Sequence, residues 1–209
     1  MKKLGKFITL EGIDGSGKSS NACWLSNMLN TKGIDSVVTR EPGGTFLGEQ
    51  LRELIVNINM EVETETLLIF AARYEHFKAV IEPSLLSGKW VISDRFIDAT
   101  YAYQGFGKGL DFNRIQDLQF WIDLRFNPDI TFLFDISFET MLKRFSKDRK
   151  LDKFEKMVNY FDKIRNGYLE IADKSKDRIK IIESENSIDI VQMQILEHIN
   201  NLLNQTYVL

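Results

Sequence analysis

"FITLEGIDGSGKSS", residues 7–20, begins apolar and β-rich and ends in a glycine-rich bend followed by Lys-Ser-Ser. Phe7 to Leu10 reads as a short buried strand, and Ser19 to Asn30 as the helix that follows it. Between them, Gly12-Ile13-Asp14-Gly15-Ser16-Gly17-Lys18-Ser19 fits the spacing G-x-x-x-x-G-K-[ST]. Glycines at these positions let successive backbone N–H groups turn inward as a concave nest, and the next helix adds its positive end. Lys18 then reaches the β- and γ-phosphates of a nucleoside triphosphate, and the Ser19 hydroxyl is placed to ligate Mg²⁺. The bland alternative is a glycine turn with a solvated lysine. Average composition produces such a match by chance in roughly one chain per hundred of this length. Its position between a strand and a helix favours phosphate.

Further strands are expected at Ser36 to Thr39, Trp90 to Asp94, Asp129 to Ile136 and Arg178 to Glu183. Leu68 to Gly88 carries helical apolar spacing, interrupted by Pro83 and closed by Gly88. Phe138, Met141, Leu142 and Phe145 mark one helical face. Phe154, Met157, Val158, Phe161, Ile164 and Tyr168 mark another, read as core. A last helix is expected from about Ile188 to Leu203. Alternating strands and helices imply an α/β fold with a five-stranded parallel sheet covered by helices on both faces. Ligands gather beyond the carboxyl ends of such strands. Asp14 to Ser19, Arg40 to Gly44 and Asp94-Arg95 all fall there.

The 209 residues suit one domain, 1–209, and carry a net charge of −3. That balance argues against nucleic acid or an anionic membrane as the main partner. Cys23 is the single cysteine, and with two histidines it leaves no disulfide framework and little material for zinc. The apolar stretch before Glu11 is too short for a signal peptide, and no run has the length of a membrane span. The expectation is a reduced, cytoplasmic, soluble protein.

A phosphate loop alone leaves GTPase switches, ATPase motors and small-molecule kinases open. Guanine-specific chains carry N-[KT]-x-D late; Asn30-Thr31-Lys32-Gly33 is too early and lacks the aspartate. Asp94 is a candidate to hold a Mg²⁺-bound water, with helix capping as its competitor. Arg40 and Arg95, each beyond a strand end, suit a second phosphate site, since a guanidinium grips phosphate with a planar fork. Either alone would be an ordinary surface arginine.

"EGIDGSGKSS", "TREPGGT" (Thr39 to Thr45), "FAAR" (Phe70 to Arg73), "SDRF" (Ser93 to Phe96) and "ATYAYQG" (Ala99 to Gly105) occur in one order and spacing. Together they resemble thymidylate kinases of the bacterial type, over essentially the whole chain. "LKRFSKDRKLDKFE" (Leu142 to Glu155) resembles that family's lid. The resemblance implies a P-loop kinase fold with a small helical lid at about 143–155, Mg²⁺-dependent transfer from ATP to dTMP, and a homodimer. It further implies that Phe70 stacks on thymine, that Arg73 bonds its O4 edge, and that Thr100 and Gln104 contact the base. Tyr103 would crowd the 2′ position and Asp14 would accept from the sugar 3′-OH. Arg40 and Arg95 would hold the acceptor phosphate, with Glu41, Pro42 and the glycines after them shaping its pocket. Gly15 stands where some relatives carry a basic residue, so the missing cation is sought in the lid, Arg149 first and Lys147 second. A solvated basic helix face is the alternative there.

Phe96 and Ala99 depart from a common D-R-[YH]-x-x-S-T pattern and remove a polar ring and a hydroxyl. His76 and His198 read as structural or surface residues. Other nucleoside monophosphate kinases (dUMP, UMP/CMP or GMP), a regulatory ATPase or switch, and a degenerate nucleotide-binding module are the rival readings.

Overall fold

Strand β1 (Phe7–Glu11) is wholly buried, which its unbroken apolar run requires of a strand covered on both faces. In the computed structural model, residues 4–122, 127–144 and 154–207 are described. β1 lies centrally in a five-stranded sheet that also contains β2 (Ser36–Arg40), β3 (Trp90–Asp94), β4 (Ile130–Asp135) and β5 (Ile179–Glu183), in the order β2-β3-β1-β4-β5. Every pairing is parallel, with Leu10 opposite Asp94 on one side and opposite Phe132 on the other. The order reverses direction around β1, so the crevice beyond its carboxyl end is where such sheets bind ligands.

Alternation along the strands divides the core. Ile8, Leu10, Ile92 and Phe132 point to the face covered by α1 (Lys18–Thr31) and α9 (Ile188–Tyr207), where Leu25, Leu29 and Ile195 meet them. Phe7 and Val91 point to the opposite face with Phe77, Phe96 and Ile115. Leu133 joins Phe161, Ile164 and Tyr168 of α8 (Phe154–Lys174).

The five expected strands are present, each within a residue or so of its expected ends. The helix expected from Leu68 starts earlier, as α3 (Val62–His76), passes through a π-helical turn (Phe77–Ile81) and resumes as α4 (Glu82–Leu86). Pro83 sits in the first turn of α4, where its missing N–H costs nothing. Two of the longer helices had no counterpart in the sequence reading. They are α2 (Phe46–Asn57), capped by the Thr45 hydroxyl accepting from the Gly48 N–H at 2.9 Å, and α6 (Phe112–Ile122). Between β3 and α6 the chain forms α5 (Ile97–Thr100) and a π-helical segment (Tyr101–Gly107). α7 (Phe138–Arg144) leads towards the lid stretch. Phe145, Lys147 and Arg149 lie outside the described residues.

Candidate active site

The loop between β1 and α1 is shaped by three left-handed glycines, Gly12, Gly15 and Gly17, with φ of 131°, 78° and 97°. At Gly12 a Cβ would lie 2.5 Å from the Phe134 carbonyl oxygen, so any side chain there would push the loop off β4. Lys18 opens α1 and folds back over the loop, donating to the Ile13 carbonyl at 2.7 Å and to the Ser16 hydroxyl at 3.4 Å. Burial, reinforced by the charge of Arg95, pushes its ammonium down to about 7 against the pull of Asp94, Asp14 and Glu11. Ser19 Oγ donates to Asp94 Oδ2 at 2.5 Å, so a hydroxyl from the start of α1 and a carboxylate from the end of β3 converge. No three His, Cys, Asp or Glu side chains among the described residues could hold a metal by themselves. A hydroxyl and one carboxylate nevertheless suit Mg²⁺, which keeps most of its shell as water and phosphate oxygen.

A cavity of about 390 Å³ lies in front of this loop, bordered by Gly15, Gly17, Lys18, Ser19, Arg40 and Asp94. A second, of about 230 Å³, is bordered by Pro42, Ile69, Arg73, Thr100, Tyr103 and Gln104. Asp14, Glu41, Arg52 and Arg95 stand in the walls of both, so the two spaces meet at a cluster of two arginines and two carboxylates. Arg95 is the best held of these. Its NH2 donates to Asp14 Oδ1 at 2.7 Å and to the Tyr103 hydroxyl at 2.9 Å, and its guanidinium lies 4.6 Å from the Tyr103 ring centre. Its backbone is left-handed at φ 75°, a conformation costing a non-glycine residue about 1–2 kcal/mol, and such strain gathers at functional sites. Arg40 is more exposed and is gripped bidentately by Glu49 at 3.2 and 2.7 Å.

Behind the cluster lie groups that the sequence reading passed over. Glu11 is fully buried, accepting from the Phe96 N–H at 2.7 Å and from the Tyr168 hydroxyl at 2.9 Å. Burial, and then the charge of Asp98, raise its carboxyl to about 7, against Arg95 and those two hydrogen bonds. Tyr168, read from its spacing as core, is indeed buried, but its hydroxyl ties Glu11 to Arg95 NH1 at 3.4 Å. Arg52 donates to the Pro42 carbonyl at 2.9 Å from α2, a helix the reading lacked. Arg144 bridges the Gly15 carbonyl at 2.9 Å and the Ser184 carbonyl at 2.5 Å.

Glu41 borders both cavities, yet its carboxylate is engaged elsewhere. Arg73 Nε donates to it at 2.6 Å, and His76 Nδ1 lies 3.0 Å away. Burial pushes that carboxyl up, but Arg73 and His76 hold it below its usual value. His76 also meets the Thr39 hydroxyl at 2.6 Å, which makes it structural. A Cβ at Gly44 would come within 2.5 Å of its ring, so the second glycine of "EPGG" makes room for this histidine.

Phe70 is a correction. Its ring does not border the second cavity; it packs with Phe77 and Ile122 and faces an outer groove with Leu67, Tyr74 and Trp121. Ile69 takes the inner position. The reason is helical geometry: Glu65, Ile69 and Arg73 recur every four residues and share one face of α3, whereas Phe70 is turned about 100° from Ile69. Arg73 does reach the cavity, with Nε on Glu41, NH2 on the Phe96 carbonyl at 2.9 Å, and a buried NH1 that has no partner among the described residues. The Thr100 hydroxyl is likewise buried and unpartnered.

A phosphate loop facing a second cationic cavity across adjoining strand ends defines a P-loop enzyme of phosphoryl transfer between two nucleotides. The family model for thymidylate kinase matches residues 10–195. A thymidylate kinase of Methylobacillus flagellatus is 47% identical over 194 residues, 92% of this chain and 96% of that protein. One of Bordetella pertussis is 44% identical over 206 residues, 98% of this chain and 99% of its own. The crystal structure of thymidylate kinase from Ehrlichia chaffeensis superposes with a TM-score of 0.78 at 34% identity, covering 93% of this chain and 98% of that one. The chain belongs to the thymidylate kinase family.

Proposed function

We propose that this chain transfers the γ-phosphoryl group of ATP to the phosphate of dTMP, giving dTDP and ADP. The observation that carries the reading is the meeting of the two cavities at Asp14, Arg52 and Arg95, which supports a donor phosphate and an acceptor phosphate facing each other there. The second pKa of a nucleoside monophosphate is about 6, so the acceptor is mostly dianionic at pH 7 and needs no catalytic base. What the protein must supply is alignment and neutralisation of charge.

Lys18, whose ammonium burial pushes down to about 7 in the free protein, regains full charge beside a polyphosphate. Ser19 and Asp94 would hold Mg²⁺, which would offset the charge of the polyphosphate. Arg95, fixed by Asp14, Tyr103 and Tyr168, neutralises charge at the transferring group. An arginine so placed is worth about 10³–10⁵ in rate, roughly 4–7 kcal/mol of barrier. Arg40 reaches the acceptor phosphate by exchanging Glu49 for it, a cheap trade between exposed charges. Asp14 accepts from the sugar 3′-OH, and Tyr103 crowds the 2′ position. Ile69, with Ile55 and Val56, forms the apolar wall for the base in the place first assigned to Phe70. Arg144, spanning Gly15 and Ser184, borders the place for the donor nucleoside. A further cation from the 143–155 lid, Arg149 before Lys147, belongs to the same proposal.

The working unit we propose is a homodimer in the cytoplasm. Leu67, Tyr74, Phe120 and Trp121 on α3 and α6 are exposed apolar residues, Phe120 at 88% and Trp121 at 80%, and a large exposed apolar surface is one that a monomer rarely leaves uncovered. Leu67, Tyr74 and Trp121 border a groove of about 680 Å³ on the outer side of α3 and α6. No helix among the described residues is long and apolar enough to cross a membrane.

The test is a coupled ADP-release assay with ATP, Mg²⁺ and each monophosphate in turn. dTMP should lead the series; a leading UMP, CMP or GMP, or hydrolysis independent of any acceptor, would overturn the assignment.

A further inference from the structure

We propose that Glu65, in the wall of the acceptor cavity beside Gln104, sets the choice between thymine and cytosine by fixing the orientation of the Gln104 amide. The inference rests on the acceptor reading above and adds to it a positioning residue outside the motifs.

Glu65 is buried on α3, one helical turn before Ile69. Gln104 Nε2 donates to Glu65 Oε1 at 2.7 Å. The Lys108 ammonium donates to the other oxygen, Oε2. A carboxylate held by an ammonium accepts hydrogen bonds and has none to give. Only the NH2 end of the Gln104 amide can therefore face it. The amide is planar, so its Oε1 is turned the opposite way, and no hydrogen bond reaches that oxygen from the described residues. Gln104 itself borders the acceptor cavity.

The cavity thus carries a fixed polar pattern. Arg73 NH1 is a buried donor without a partner among the described residues, Gln104 Oε1 is an acceptor, and the Thr100 hydroxyl can serve as either. Thymine presents a carbonyl at C4 and an N–H at N3, which match a donor beside an acceptor. Cytosine presents an amino group and a bare nitrogen at those positions, so donor would face donor and acceptor would face acceptor. Buried groups left unpaired in this way are the source of strong discrimination. Arg73 cannot change its half of the pattern, because Glu41 and the Phe96 carbonyl hold two of its nitrogens. Gln104 could reverse by a simple flip, and Glu65 is what forbids the flip.

The test is Glu65→Gln, assayed for kcat/KM on dTMP and dCMP. The new amide can offer either an oxygen or an NH2 to Gln104, so both orientations become accessible. The dTMP-to-dCMP ratio should fall about tenfold or more, through a raised KM for dTMP and improved use of dCMP. Glu65→Asp, which keeps an acceptor-only group, should preserve most of the ratio. In a Gln104→Leu background, Glu65→Gln should change the ratio no further, because the effect runs through the amide. If Glu65→Gln does not fold, Glu65→Met frees the amide by the other route and carries the same expectation. A wild-type ratio in a folded Glu65 variant, or an equal drop in the Gln104→Leu background, would overturn the proposal. A wild-type enzyme that ignores dTMP would instead overturn the acceptor reading, before any variant is made.

Discussion

Ser19 Oγ and Asp94 Oδ2 lie 2.5 Å apart although 75 residues separate them in sequence. The contact exists because β1 and β3 are parallel neighbours, with Leu10 in register with Asp94. One strand delivers the phosphate loop and the first residues of α1, and the other delivers its last carboxylate to the same level. Asp94→Asn keeps the size of the side chain and removes its charge. It should weaken the apparent affinity for Mg²⁺ in turnover by about 10–100-fold, as loss of a metal-site partner commonly does. A Mg²⁺ titration of initial rate matching that of the wild type would reduce Asp94 to a helix cap.

The left-handed backbone at Arg95 gives a prediction that separates stability from catalysis. Arg95→Ala and Arg95→Gly both remove the guanidinium, so both should lower kcat/KM for the acceptor by about 10³-fold or more. Glycine occupies φ 75° without the steric cost that alanine meets there. Arg95→Gly should therefore be more stable to urea than Arg95→Ala, by about 1 kcal/mol. Equal stabilities would mean that the backbone is not strained at this residue.

The structure reverses the expected consequences of two neighbouring substitutions. Ile69→Ala should raise the KM for dTMP and leave the KM for ATP in place. Phe70→Ala, in the core beside Phe77 and Ile122, should cost about 3–5 kcal/mol of stability and leave base preference intact in the folded fraction. Chemical denaturation and a nucleotide panel on both variants distinguish them. Lost base preference in Phe70→Ala, with Ile69→Ala silent, would restore the stacking role to the phenylalanine.

These differences show what the sequence carried. The phosphate loop was readable because its chemistry is local: glycines that bend, a lysine and a serine follow one another along the chain. The strands were readable because buried parallel strands are uninterrupted apolar runs. Arg40, Asp94 and Arg95 were found because each ends such a run. Glu11 was not, because a glutamate at the end of an apolar strand gives no sign of being sealed under Tyr168 and Phe96. Tyr168 read as core because its ring is core, and only the oxygen at its tip has another task. Phe70 was taken for Ile69 because motif letters do not state which side of a helix they occupy. A strict count of four from Arg73, giving Ile69 and Glu65, would have revealed both.

The exposed aromatic surface on α3 and α6 predicts the oligomeric state. Trp121→Glu together with Tyr74→Glu should convert a dimer to a monomer in sedimentation velocity at micromolar concentration, because a charge placed in an apolar interface is uncompensated. A wild-type protein sedimenting as a monomer throughout that range would dispose of the dimer.

Glu11 gives the pH dependence. Burial first, and then the charge of Asp98, raise its carboxyl from 4.5 to about 7 in the folded protein. Between those values the folded chain holds a proton that the unfolded chain has released, so raising the pH across the window favours unfolding. The contribution is therefore fully present below pH 4.5 and is lost as the pH climbs through 7, amounting to about 3 kcal/mol across the window. Glu11→Gln is neutral at every pH and lacks this loss. Its Oε1 can still accept from the Phe96 N–H, while its new NH2 must donate towards Tyr168 in place of accepting from it. That exchange sets a constant offset between the two proteins, whereas the titration sets a pH-dependent one. Urea unfolding at pH 5 and pH 8 should show the variant gaining on the wild type as the pH rises. A stability difference independent of pH would mean that Glu11 is ionised throughout, paired with the Arg95 guanidinium.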